Sequence, residues 1–173
     1  MKKSSFILFL GMLAILIPGT ILKMIAPAMV VPNLLAVVLV YLAFYEPNVR
    51  GAILAFALGF ELDLCSGVLL GPWAGAYVLV FALLVLSSQR VFIESAFVIV
   101  IGVFIASFLT VSLHHLILAL VHDEINYEWS ILFDTILEAA LGAIIAPFLF
   151  YFFRRKIANK TLVGISEYQI VKK

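Results

Sequence analysis

The sequence predicts an all-α, polytopic bundle embedded in a membrane, and three observations carry that prediction. First, hydrophobic residues make up 65% of the 173 positions and charged residues only 12%, with a mean hydropathy of +1.23. One soluble core of this size cannot hide so much apolar surface. Second, the apolar residues fall in continuous runs, longer than strands and without alternation, which argues against a barrel. Third, nearly all basic residues fall on one side when the runs are threaded back and forth across a bilayer.

A hydrocarbon core of about 30 Å needs about 20 helical residues, fewer where a helix is surrounded by protein. The first run covers residues 6–22, and an apolar connector at 25–31 is broken by Pro27 and Pro32. A cleavable leader would also begin with Lys2-Lys3 and an apolar run, but Lys23 and Pro27 flank the would-be cleavage site, so an uncleaved helix is expected. The second and third runs, 34–45 and 51–62, are short and turn at Glu46-Pro47-Asn48, a breaker followed by an N-cap type residue. The fourth covers 73–86. The fifth, 91–121, exceeds a perpendicular span, so tilt or a cytoplasmic extension near Glu94 is expected. The sixth, 131–153, contains Pro147, which predicts a kink.

Six spans with an inside N-terminus place Lys2, Lys3, Arg50, Arg90, Arg154, Arg155, Lys156, Lys160, Lys172 and Lys173 in the cytoplasm, and only Lys23 outside. This positive-inside bias puts both termini in the cytoplasm. The loop holding Asp123, Glu124 and Glu128 is then outer, with Trp129 as an interfacial anchor. Two regions result: a six-helix transmembrane domain at 1–153 and a basic cytoplasmic tail at 154–173.

With a net charge of +1, no broad field invites nucleic acid. The single cysteine, Cys65, excludes an internal disulfide and a thiolate cluster and reads as small apolar packing. No catalytic constellation, phosphate loop or nucleotide fingerprint is found. The expectation is a non-enzyme without metal or cofactor, in contact with membrane lipid, with self-association left open.

The informative polar residues lie inside or at the ends of the runs. Asp63, with Glu61 beside it, closes the third run at Asp63-Leu64-Cys65-Ser66-Gly67, followed by Leu70-Gly71. A carboxylate at a helix C-terminus meets the negative end of the dipole. It should therefore seek donors from Asn33, Ser66, loop amides or Lys23. Asn33 and Asp63 are equidistant from Asn48, so an antiparallel hairpin sets them at similar depth near the outer surface. The alternative is that Asn33 caps the second helix and Asp63 merely ends the third.

His114 and Glu138 are likewise equidistant from Asn126, and Asp134 precedes Glu138 by one helical turn. An interhelical hydrogen bond that fixes packing is the plain reading, and a proton or substrate relay would use the same groups. A metal site from His114, His115 and His122 is disfavoured, because adjacent histidines diverge by about 100° on a helix. Small residues form seams: Ala52, Ala55 and Gly59 on the third run, and Thr135, Ala139, Ala143 and Ala146 with Gly142 alongside on the sixth. The sixth-run seam, Ala143 in particular, is expected to admit a neighbouring helix in assembly.

Pro32-Asn33-Leu34-Leu35, then Arg50-Gly51, then Gly59 to Gly67 with Leu70-Gly71, together resemble the bacterial rod shape-determining MreD family. The recognisable motif covers about residues 32–77. Asn33 stands where the family commonly has aspartate, and Pro72 follows Gly71 where proline often precedes that glycine. The resemblance implies a scaffold of lateral wall elongation in the bacterial cytoplasmic membrane. Its implied partners are an MreC-like protein and, directly or not, a RodA-type glycosyltransferase and a class B penicillin-binding protein. It also implies a fold similar to the membrane substrate-binding component of energy-coupling-factor transporters, so a vitamin transporter component is the alternative function. Asn33, Arg50, Glu61, Asp63, Ser66, Gly67, Gly71, His114, Asp134, Glu138 and Ala143 are the structural or partner-binding candidates.

Overall fold

A computed structural model describes residues 2–16, 31–67, 69–88, 96–121 and 129–153. Among them are six helices: α1 Lys2–Leu16, α2 Leu34–Tyr45, α3 Val49–Ser66, α4 Pro72–Ser88, α5 Ala96–Val121 and α6 Trp129–Phe153. No strand occurs among the described residues. Lys23, Arg90, Glu94, His122, the acidic residues of the loop before α6 and the 154–173 tail lie outside them.

The shortest described helix is the hub. Residues Leu35 to Ala43 of α2 are all buried, and α2 packs against each of the other five helices. Its sequence has no polar face, as expected for a helix enclosed on every side. Twelve residues rise only about 18 Å, less than a bilayer core, so α2 is matched to a protein surround rather than to lipid. Around it, α3 pairs with α4, α4 with α5 and α5 with α6, while α1 closes against α2 and α3.

The third helix is longer than the apolar run that predicts it. The run stops at Leu62, whereas the helix continues to Ser66 and ends at Gly67, whose φ of 66° and ψ of 8° are left-handed. There the Gly67 N–H bonds the Asp63 carbonyl at 3.3 Å, a glycine-based C-cap. Asp63 does not end the helix because its side chain turns inward.

Large apolar residues cover the outside, including Ile53, Phe56, Leu64, Phe97, Leu120, Phe133, Ile144 and Phe148. Among the described residues, Asp63, Ser107, Thr110, His114 and Thr135 are buried polar groups. Apolar outside and polar inside is the arrangement a lipid solvent favours. The segments Ala96–Val121 and Leu132–Phe152 are long and apolar enough to cross a membrane, and α2 and α4 are shorter apolar helices. Helix α6 continues through Pro147.

The small-residue face of α6 is filled from within. Thr135, Ala139, Gly142, Ala143 and Ala146 are all buried, and α6 packs on α5 and α2. Ala143 is 3% exposed and belongs to the core shared with α2. Where the spacing suggested a neighbouring helix in assembly, this face is packed by the chain's own α5 and α2. Close approach needs small residues wherever the partner comes from, and sequence spacing does not say which helix arrives.

Candidate functional site

The site is the junction where α3 ends and α4 begins. Helix α4 starts at Pro72, which has no N–H, after Gly71, which has no side chain to serve as a cap. Its next two amides, of Trp73 and Ala74, therefore need an acceptor from elsewhere. Asp63 supplies it. Oδ1 accepts the Trp73 amide at 3.0 Å, and Oδ2 accepts the amides of Ala74 and Gly71, each at 3.0 Å. The carboxylate is 1% exposed. It performs the work of an N-cap aspartate from a different helix.

The electrostatics agree with the geometry. A negative group at the C-terminal end of α3 is disfavoured by that helix's dipole, and the positive end of α4 offsets this. Charge-assisted bonds to amides are the stronger kind, and a buried carboxylate requires such partners. Gly71 holds a φ of 119°, a conformation that side chains resist, and this turns its amide toward Asp63. Its carbonyl meanwhile accepts the Gly75 amide at 2.8 Å, beginning the α4 ladder. On the α3 side, Ser66 Oγ donates to the Asp63 carbonyl at 2.9 Å. Asp63, Ser66, Gly67 and Gly71 thus form one unit.

Beside it lies an open hollow of about 160 Å³ lined by Asp63, Leu64, Gly67, Leu69 and Leu70. That is below the range of about 300–1,000 Å³ usual for small-molecule sites. Both oxygens of its only ionisable lining group are already bonded. Among the described residues, no group of three or more His, Cys, Asp or Glu side chains could hold a metal ion.

The remaining candidates occupy separate places. Asn33 caps its own helix, its Oδ1 accepting the Ala36 amide at 3.1 Å, while the Asp63 carboxylate takes backbone amides. Arg50 is exposed in the first turn of α3. The neighbouring glycine has the steric role: a Cβ on Gly51 would collide with the Glu46 carbonyl and lie 2.8 Å from Phe81 Cζ. Asn48 caps α3 by accepting the Gly51 amide at 3.1 Å. Glu61 turns to α1, where its Oε2 lies 3.3 Å from the position a Gly11 Cβ would take. That oxygen is buried and has no hydrogen-bond partner among the described residues. Asp134 is exposed on α6.

His114 is placed by an aromatic partner that the spacing argument misses. Its ring stacks on Trp73, centroids 3.7 Å apart and planes 14° from parallel, and the His115 ring meets it edge-on at 5.5 Å. His115 Nδ1 is occupied with the Val111 carbonyl at 2.9 Å. Glu138, half-buried on α6, lies within electrostatic reach of the Tyr77 hydroxyl. Trp73 is thus the link between the junction and the interior, with its amide on Asp63 and its ring on His114. Its signal in the sequence is the Gly-Pro-Trp start of a helix that lacks a local cap.

An all-helical bundle with an apolar exterior, polar groups inside and helices fit to cross a bilayer is an integral membrane protein. The chain matches the family model of MreD, rod shape-determining protein, over residues 2–156. It belongs to that family, which assigns it a role in rod shape determination. No curated protein and no solved structure matches it.

Proposed function

We propose that the chain is a non-enzymatic membrane scaffold of the machinery that builds the lateral wall of rod-shaped bacteria. In this reading the 1–153 region crosses the cytoplasmic membrane six times, and the N-terminus and the 154–173 tail are cytoplasmic. It binds an MreC-like protein and connects to a RodA-type glycosyltransferase and a class B penicillin-binding protein. The supporting observation beyond family membership is the state of Asp63. The buried acid of the motif has both oxygens engaged by α4 amides, which suits a rigid docking platform better than proton transfer.

Depletion in a rod-shaped host tests the reading, together with affinity purification from its membranes. Rounded cells and recovery of an MreC-like protein with wall synthases are expected. Normal rods after verified depletion would refute the scaffold. Recovery of paired ATPases and a tightly held vitamin would instead assign the chain to an energy-coupling-factor transporter, whose substrate-binding component is the fold analogy behind the alternative.

A further inference from the structure

Three polar side-chain atoms in the α4–α5 interior find no hydrogen-bond partner among the described residues: Tyr77 Oη, Ser107 Oγ and His114 Nδ1. Their residues are 0%, 0% and 9% exposed. Such groups are rare in folded proteins, because each costs its full desolvation when left unpaired. They also belong together. The Trp73 ring lies 3.7 Å from that of His114 and 6.3 Å from that of Tyr77. Trp73 at the start of α4 lies opposite His114 near the end of α5, an antiparallel contact that sets Tyr77, one turn on along α4, beside Thr110, one turn back along α5. Ser107 continues the same α5 face. The single proton of Thr110 Oγ1 is shared between the carbonyls of Ala106 and Ser107, both at 2.9 Å, so it has none left to donate to the other three. The Glu138 carboxyl lies within electrostatic reach of Tyr77.

We propose that this seam is an internal hydration site, with ordered water bridging the Tyr77 hydroxyl and the His114 Nδ1 and extending toward Ser107. Water is the occupant that fits: it donates and accepts, needs two to four polar partners and little room, and is the usual satisfier of buried polar groups. A dry seam would leave three orphans in the buried α4–α5 interior. A wet one makes the α4–α5 contact one whose hydrogen bonds can be exchanged without leaving a group unpaired.

Two measurements on the purified full-length protein test this. Removing a hydroxyl that bonds water should lower the melting temperature of Tyr77→Phe by about 2–4 °C, the shift for one lost hydrogen bond in a chain of this size. Removing an unpaired hydroxyl should instead leave it unchanged or raise it. Pulsed X-ray radiolysis creates hydroxyl radicals from bound water in place, so Tyr77 should be oxidised despite its burial, alongside the exposed Tyr151. A Tyr77→Phe protein that melts as late as its parent or later, or a Tyr77 left unoxidised while Tyr151 is labelled, overturns the proposal.

Discussion

A Cβ on Gly59 would sit 2.6 Å from the Cα of Ala74 and 2.7 Å from the Trp73 carbonyl. Helices α3 and α4 therefore touch backbone to backbone, one turn below the Asp63 carboxylate on the same face. This approach is what lets a short side chain on one helix reach the first amides of the next. Backbone cannot give way as a flexible side chain can, so Gly59→Ala should separate the helices and loosen the Asp63 bonds, with an overpacking cost of about 1–3 kcal/mol. Gly75→Ala is the control, since its Cβ meets only Ile117 Cδ1 at 3.6 Å. Thermal melting in detergent should show a clear loss for Gly59→Ala and almost none for Gly75→Ala.

Asp63→Ala leaves three amides without their acceptor in a buried place. Loss of an N-cap costs about 0.5–2 kcal/mol, and stranded buried donors put this variant at the top of that range or above. Asp63→Asn keeps one carbonyl acceptor but turns an NH₂ toward a donor, so it should fall between parent and alanine. Melting curves in the order Asp, Asn, Ala check this, and equal stability of all three would show the carboxylate to be an ordinary helix end.

Asn33→Ala removes a single cap bond and should cost about 1 kcal/mol. Asn33 and Asp63 share no hydrogen-bond partner, so their losses should add in the double variant. A coupling well above the error of the melts would instead place the two residues in one clasp.

Trp73 and His114 form a stacked pair, and such pairs contribute about 0.5–1.5 kcal/mol beyond the area they bury. A double-mutant cycle with Trp73→Leu and His114→Leu should return a coupling of that size. Zero coupling would reduce the contact to shared burial.

Ala143→Leu should damage the fold of the chain itself. The site is 3% exposed and belongs to the same core as α2, so added bulk costs about 1–3 kcal/mol. A lowered melting temperature in the isolated protein is the expected result. A variant that folds normally yet loses a partner in pull-down would return the seam to an intermolecular role.

Much of this was legible in the chain because lipid demands it. Continuous apolar runs locate α2 at Leu34–Tyr45 to the residue, since Asn33 and the Glu46-Pro47 break mark its ends chemically. The end of α3 was not legible. Hydropathy stops at Asp63, and only the arrival of α4 makes an aspartate compatible with a helix interior.

The sequence by itself determined the solvent, the helical class and the residues that had to find partners, because the cost of placing polar groups in an apolar medium is a property of each residue. The tertiary structure alone decided who those partners are. Asp63 takes the amides of Trp73 and Ala74, His114 takes the Trp73 ring, and Ala143 joins its own chain's core. Each outcome depends on helix rotation and offset, which small residues such as Gly59 permit but do not specify.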